Sequence, residues 1–323
     1  MDKKLLVTGM DFLLDWVGQH IKSAEIVCTS DVSEENLSQL VKDFDGILYM
    51  QALNYPITRK IIESGKKLKF IQSAGVGYER IDLEAATDNG VVVMNMPTGT
   101  TVSVAEHTVA LILACSKNLV KAHENTVKGG WRILGLGVEL WNKTLGIIGF
   151  GRIGREVAKR MKAFEMDILV YDPYVGKEDI EKMGGKKVDL ETLLKESDIV
   201  SIHSPLTKET EGLIGEQELG LMKQTAILIN TARGELVDEE ALYKALSERR
   251  ISYAGLDVYR QEPINKDNPL LTLDNVVLTP HMAVQTLDAV MRMMGQNGIQ
   301  VENALNGIYE NVVNPEVLEK SKK

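Results

Sequence analysis

Short apolar runs alternate with stretches whose apolar residues recur every three or four positions, and the alternation continues along most of the 323-residue chain. In the first part, apolar runs at 5–7, 25–27, 46–50, 70–72 and 91–94 predict strands. Helical spacing predicts helices over 12–20, 34–44, 58–64 and 83–89 between them. Strands and helices in this order imply a parallel sheet covered on both faces. Pro97 to Gly99 interrupts the pattern. Ser103-x-x-Glu106 then reads as a capping box opening a long helix, with Val102, Ala105, Val109, Ile112 and Leu113 as its apolar face. That helix leads into Lys128-Gly-Gly-Trp-Arg132 and a loop carrying Trp131 and Trp141, which reads equally as an interface or as packing within the chain.

The middle of the chain is more specific. An apolar run at 145–148 ends in Gly149-Phe150-Gly151-Arg152-Ile153-Gly154, and Val157, Ala158, Met161 and Phe164 then recur at helical spacing. A second run, 168–171, ends at Asp172, eighteen residues past Gly154. Gly149 permits a tight turn, Gly151 lets backbone approach a pyrophosphate, and Gly154 lets helix and strand pack closely. The helix start presents unpaired N–H groups to phosphates, and the acid suits ribose hydroxyls. Strand, turn, helix, strand and acid together predict a Rossmann-type dinucleotide site. Pro173 and Tyr174 bring no basic group after the acid, which favours NAD over NADP.

Beyond Asp172 the pattern predicts a helix at 190–194, a strand at 198–203 closing on Ser204-Pro205, and a strand at 226–230 ending in Thr231-Ala232-Arg233-Gly234. A helix at 238–247 and strands at 253–257 and 276–278 follow, the last ending at Thr279-Pro280-His281. A final helix, about 286–306, stops at Gly307. Because the fingerprint begins mid-chain, the final helix is expected to return to the first domain. This gives a discontinuous flavodoxin-like α/β domain, 1–98 with 288–323, and a continuous NAD-binding domain, 99–287. A cleft between them and a closing hinge near residues 98 and 287 are expected.

Composition narrows the class. Basic residues number 37 and acidic 46, for a formal charge of −9, which argues against nucleic acid as the main partner. The N-terminus lacks the apolar core and cleavage site of a signal peptide, and no apolar run approaches a membrane span. A cytoplasmic location is expected. Cys28 and Cys115 fit no metal spacing and read as buried thiols, and no metal site is expected.

In an open parallel sheet, ligands bind beyond the carboxyl ends of the strands, where Ser204, Arg233, Asp257, Glu262 and His281 gather. Five histidines occur. His20 and His123 read as surface, His107 as packed or exposed on its helix, and His203 as structural or cofactor-lining. His281, after Pro280 at a strand end, reads as structural or chemical.

Several motifs occur together and in one order: Gln72-Ser-Ala-Gly-Val-Gly-Tyr78, Thr101-Val-Ser-Val-Ala-Glu-His107, Gly-Phe-Gly-Arg-Ile-Gly, Asn-Thr-Ala-Arg-Gly-Glu-Leu-Val-Asp, Ala-Gly-Leu-Asp-Val-Tyr, Gln-Glu-Pro and Thr-Pro-His. Over nearly its whole length the chain resembles the D-isomer-specific 2-hydroxyacid dehydrogenase family. The resemblance implies that Arg233 grips the substrate carboxylate and carbonyl, as a guanidinium fork suits. It implies that His281 is the acid/base for the keto oxygen, and that Glu262 orients it and raises its pKa. Gly75, Val76 and Gly77 would hold the substrate carboxylate through backbone N–H groups, and Asp257 would lie near the nicotinamide carboxamide. Thr101, Gly149, Gly151, Arg152, Ile153, Gly154, Asp172, Ser204, Pro205, Thr210, Thr231 and Ala232 would line the NAD site, with Arg233 and His281 reaching it. One departure stands out. Met282-Ala283-Val284 follows the histidine where many relatives place glycine or serine, and this bulk is expected to narrow the nicotinamide side or alter substrate preference.

The segment Met50-Gln51-Ala52-Leu53-Asn54-Tyr55, expected to face substrate, has no arginine or lysine for a phosphate. The reading is therefore a reductase of a small unphosphorylated 2-keto acid of the glyoxylate, hydroxypyruvate or pyruvate type. Phosphoglycerate is the alternative, and an NAD(H)-sensing corepressor-like binding protein is the further one. Formate chemistry is disfavoured, because such relatives carry glutamine where Glu262 stands. A homodimer is implied by likeness alone, and effector control by an added regulatory domain is not expected.

Overall fold

A computed structural model describes residues 2–9, 14–50, 55–131 and 135–320. The chain divides into two compact units, Met1–Thr100 with Thr286–Lys323, and Thr101–Gln285.

In the first unit β1 (Lys3–Thr8), β2 (Ala24–Thr29), β3 (Gly46–Tyr49), β4 (Phe70–Ser73) and β5 (Val92–Met94) form one parallel sheet in the order β2-β1-β3-β4-β5. This is the strand order of flavodoxin-like sheets. Between the strands run α1 (Leu14–Val17), α2 (Glu34–Leu40), α3 (Arg59–Ser64) and α4 (Leu83–Asp88). Their starts are chemically marked, since Ser33, Thr58 and Asp82 each accept an N–H of the first helical turn. Neighbouring strand residues feed opposite faces of the sheet: Leu5 belongs to one apolar core and Leu6 to the other.

The second unit opens with α5 (Thr101–Ser116) and α6 (Leu119–Val127). It continues through β6 (Thr144–Ile148), α7 (Arg152–Lys162), β7 (Asp167–Tyr171), α8 (Lys177–Lys182), β8 (Lys186–Lys187), α9 (Leu190–Glu196) and β9 (Ile199–Ile202). Then come α10 (Glu216–Leu221), β10 (Ile227–Asn230), α11 (Glu239–Ser247), β11 (Tyr253–Leu256) and β12 (Val276–Leu278). The seven strands pair in parallel in the order β12-β11-β10-β9-β6-β7-β8. Counted from β6, the order is that of a doubly wound dinucleotide-binding sheet with one strand added. The order reverses beside β6, so the glycine turn stands at the switch point. The last helices, α12 (Leu287–Leu305) and α13 (Glu316–Lys320), return to the first unit, where Val301 and Val317 join the core containing Leu5. Thr286 caps α12, and Gly307 adopts φ +81° just past its end.

Four expectations are corrected. Ser103 is not a helix cap: α5 is already helical at Thr101, and the Ser103 hydroxyl is buried and donates to the Ala283 carbonyl (2.7 Å). The buried face of α5 is Val104, Ala105, Thr108, Leu111, Ile112 and Cys115, whereas Val102 is exposed. Counting only apolar residues misphased this face, because Ser103 and Thr108 turn inward with it. Phe164 lies past the end of α7 and is partly exposed. Cys115 is buried, with its thiol pushed up to about 12 by desolvation, but Cys28 is only partly buried. The sequence pattern passed over α8, β8, α10 and α13, all of them short. The helix expected at 12–20 and the segment 50–55 fall partly outside the described residues, as does Arg132.

Candidate active site

The carboxyl ends of β6, β7, β9, β10, β11 and β12 carry the expected site residues of the second unit. At β6 the three glycines divide their work sterically. Gly149 has φ +90°, and a Cβ there would come within 2.7 Å of the His203 carbonyl carbon and the Ser204 nitrogen. A Cβ at Gly154 would stand 2.3 Å from the Gly149 oxygen. At Gly151, the N-cap of α7, a Cβ would meet no protein atom within 4 Å. Two glycines close the turn and the third faces open space beside the unpaired N–H groups of a helix start, an arrangement that fits a dinucleotide pyrophosphate.

Asp172 directly follows β7 and is buried. Its Oδ2 accepts the Phe150 N–H inside the glycine turn (2.7 Å), and Oδ1 accepts the N–H groups of Tyr174 (2.8 Å) and Val175 (3.0 Å). A carboxylate has about four acceptor sites, so one remains for a ribose hydroxyl. The acid therefore also shapes the turn beside it.

Thr101 opens α5, and Arg152 and Ile153 lie in the first turn of α7. Ser204 and Pro205 follow β9, where the Thr210 hydroxyl donates to the Pro205 carbonyl (2.8 Å) and accepts from the Thr207 N–H (2.8 Å). His203 meets the Ser201 hydroxyl (2.8 Å), and burial pushes its imidazole down to about 3, although the residue keeps some exposed edge. Thr231 is buried against the hydroxyl of Thr108 (2.9 Å).

Arg233 follows β10 in a turn held by Asn230, whose side chain accepts the Ala232 N–H (3.0 Å) and donates to the Arg233 carbonyl (2.8 Å). Gly234 must be glycine here, since a Cβ would lie 2.0 Å from the Tyr259 carbonyl carbon. This close packing sets the Arg233 turn against the segment that carries Glu262. Glu262 Oε1 accepts the Tyr259 N–H (3.1 Å), and its Oε2 lies 2.7 Å from His281 Nδ1. Burial acts to raise the pKa of Glu262. The hydrogen bond and charge of His281, the Tyr259 N–H and the charge of Arg233 outweigh it, so the carboxyl stays below its ordinary range. Arg233, Glu262 and His281 thus form one electrostatic group. With Glu262 ionised, the shared proton sits on Nδ1 and Nε2 is left to exchange a proton.

His281 adopts φ +49°, a left-handed conformation that a residue with a Cβ rarely takes. Asp257, fully buried beyond β11, lies beneath this turn. It accepts the Thr279 hydroxyl (2.6 Å) and the N–H groups of Met282 and Ala283 (2.9 Å each). Desolvation acts to raise its pKa, but these bonds and His107 hold it low. Both of its oxygens are already engaged.

In the first unit, the loop after β4 turns its carbonyls toward remote donors. Asn297 holds the Ala74 oxygen (3.0 Å), the Met96 N–H holds Gly75 (2.8 Å), Asn95 holds Val76 (2.7 Å) and the Ser73 hydroxyl holds Gly77 (2.7 Å). The N–H groups of Gly75, Val76 and Gly77 meet no acceptor among the described residues. The sequence singles out none of Asn95, Asn297 and Asn230 as single residues, and it marks Ser103 only as a helix cap and His107 only as packed or exposed on its helix. For Ser103 and His107 a signal existed: two polar residues one helical turn apart beside an apolar face. Among the described residues no cluster of His, Cys, Asp or Glu could hold a metal ion, and no helix is long and apolar enough to cross a membrane.

Fold and site together define a nicotinamide-dinucleotide-binding α/β protein with an acid–imidazole pair beside an arginine. Residues 109–283 match the model of the D-isomer specific 2-hydroxyacid dehydrogenase, NAD binding domain. The chain is 45% identical over 293 residues to a D-3-phosphoglycerate dehydrogenase of Methanocaldococcus jannaschii, covering 90% of this chain but only 55% of that protein's length. It is 43% identical over 295 residues to a glyoxylate reductase of Korarchaeum cryptofilum, covering 88% of this chain and 87% of that protein. A glyoxylate reductase structure from Paecilomyes thermophila superposes with a TM-score of 0.87 at 28% identity, covering 98% of this chain and all of that one. The protein belongs to the D-isomer specific 2-hydroxyacid dehydrogenase family and carries that family's NAD-binding domain.

Proposed function

We propose that the protein is an NAD-dependent reductase of a small unphosphorylated 2-keto acid of the glyoxylate, hydroxypyruvate or pyruvate type. The observation that carries this reading is the 2.7 Å His281–Glu262 pair at the carboxyl end of the sheet, with the Arg233 charge beside it. The dinucleotide, when bound, supplies or takes up the hydride at C2. His281 Nε2 gives its proton to the keto oxygen in reduction and recovers it in oxidation, while Glu262 fixes the ring through Nδ1. Arg233 binds the substrate carboxylate through its guanidinium fork, and the N–H groups of Gly75, Val76 and Gly77 bind it through backbone. Asp172 at the strand end takes ribose hydroxyls and favours NAD over its 2′-phosphorylated form.

A second reading, D-3-phosphoglycerate oxidation, is favoured by the 45% identity to the Methanocaldococcus jannaschii enzyme. The glyoxylate reductase match, which covers 88% of this chain and 87% of that protein, and the segment 50–55, which has no cation for a phosphate, favour the first. One screen separates them: NADH and NADPH oxidation with glyoxylate, hydroxypyruvate, pyruvate and 3-phosphohydroxypyruvate. The highest kcat/KM with one of the first three supports the proposal, a preference for the phosphorylated acid supports the second reading, and no turnover with any of them overturns both. The same protein should associate as a homodimer: α6 buries none of its residues, its Leu119, Val120 and Val127 are exposed, and Trp131 (91% exposed) and Leu136 (97%) are exposed as well. Light scattering giving a monomer mass would refute that. A cytoplasmic location completes the reading.

A further inference from the structure

His107 has no place in the chemistry just proposed, yet it is a polar side chain largely buried on α5, 19% exposed. Its Nε2 lies 3.1 Å from the Thr279 hydroxyl and 3.4 Å from Asp257 Oδ1. The Thr279 hydroxyl has a single proton, and its shortest contact, 2.6 Å, directs that proton to Asp257. Its oxygen is then the acceptor for His107, which must carry its proton on Nε2. A connected network results: His107 Nε2–H donates to Thr279, Thr279 O–H donates to Asp257, and Asp257 also accepts the N–H groups of Met282 and Ala283.

The segment gripped in this way is the turn that carries His281. Its entrance is held at Thr279 by His107, and its exit at the Ala283 carbonyl by Ser103, one turn earlier on the same helix. Its centre is held by the Asp257 carbonyl, which accepts the His281 N–H (2.8 Å). Holding is needed because left-handed backbone is disfavoured at a residue that bears a β-carbon. Released, the turn would relax and swing the imidazole away from Glu262. A histidine that merely satisfied its own polarity would not need to share its hydroxyl partner with the buried acid beneath the catalytic turn.

We propose that His107 is a positioning residue for the proton-transfer step, acting through Thr279 and Asp257 to keep His281 in its left-handed conformation against Glu262. This rests on the reading of His281 as the acid/base. The test uses the full chain, NADH and whichever of glyoxylate, hydroxypyruvate, pyruvate or 3-phosphohydroxypyruvate gives the highest kcat/KM. His107→Ala should lower kcat about tenfold while the NADH Kd, read by tryptophan quenching, changes less than about twofold. His107→Gln, whose amide N–H can stand near the Nε2–H position, should recover most of the loss. In a His281→Ala background, His107→Ala should lower kcat no further, because groups acting through one another are not additive. Thr279→Val cuts the same network without altering α5 and should reproduce the loss if His107→Ala fails to fold. An unchanged kcat in both His107→Ala and Thr279→Val overturns the proposal, as does equal damage from Ala and Gln, or additivity with His281→Ala. If His281→Ala itself keeps wild-type kcat, it is the acid/base reading that falls.

Discussion

Two turns in this protein present backbone N–H groups beyond a parallel strand, and they are built in opposite ways. The turn after β6 is made by what its residues lack: Gly149 and Gly154 leave room for neighbouring backbone, and Gly151 faces open space. The loop after β4 is made by what other residues supply: four successive carbonyls, from Ala74 to Gly77, are drawn to the distant Asn297, Met96 and Asn95 and to the neighbouring Ser73. The first is a steric device contained in six residues. The second is a hydrogen-bonded device reaching more than two hundred residues along the chain. One is rigid by exclusion and should fail abruptly. The other is rigid by addition and should fail in steps.

Gly154→Ala tests the abrupt case and should have the largest effect. The new Cβ would stand 2.3 Å from a backbone oxygen, which has no flexible end to move aside. A loss of about 3 kcal/mol of stability, with NADH binding lost, is expected from overpacking. A melting temperature within about two degrees of wild type would contradict it. Gly151→Ala sharpens the contrast, because its Cβ meets no protein atom. Stability should hold while NADH affinity falls roughly 10- to 100-fold, as the backbone loses its close approach to phosphate. Unchanged affinity in a calorimetric titration would remove Gly151 from the dinucleotide site.

The same contrast explains what could be read before the fold was known. The glycine turn, its flanking strands and Asp172 were legible because sterics and strand–helix alternation act locally. The strand pattern held well, since fully buried parallel strands such as β10 are built on continuous apolar runs, here 227–229. What escaped was polar and remote. Ser103 passed for a cap because Glu106 stands three residues on, whereas its hydroxyl is used inward at Ala283. Asn297 lies buried within a helix, and nothing nearby in the sequence signals its bond to Ala74. Asp172 showed its end-of-strand position but not its bonds to Phe150, Tyr174 and Val175. Arg233, Glu262 and His281 were linked by family resemblance, while their physical meeting depends on Gly234 packing against Tyr259.

Asn297→Ala probes the stepwise case. Removing one donor leaves the Ala74 carbonyl without that bond while three other ties remain. The keto-acid KM should rise about tenfold, the worth of roughly one hydrogen bond to a charged group, with little change in NADH affinity. Asn95→Ala should act similarly at Val76, and the double variant should exceed either alone. A fall in NADH affinity with no change in keto-acid KM would show that the loop has no part in carboxylate binding.

The smallest effect separates the two turns by pH. The ties of the first-unit loop are amides, a hydroxyl and a backbone N–H, none of which titrates near neutrality. The glycine turn instead packs against the backbone of His203, whose imidazole is held neutral to about pH 3 by burial. An unfolded chain takes up a proton at this histidine below about pH 6.5, whereas the folded one does not. The unfolded state therefore binds more protons between those values, and stability falls as pH is lowered through that window. The slope from this group approaches about 1.4 kcal/mol per pH unit at most, less any contribution from the exposed edge of His203. Glu262 and Asp257, both held below the ordinary carboxylate range, lose their stabilising contributions only at lower pH, so the interval from pH 6.5 to 5 reports mainly on histidines. In His203→Gln the fall in melting temperature across that interval should be shallower than in wild type. Parallel curves for the two proteins would mean that His203 accepts a proton without unfolding, and that the support beneath the glycine turn is more open to water than its burial implies.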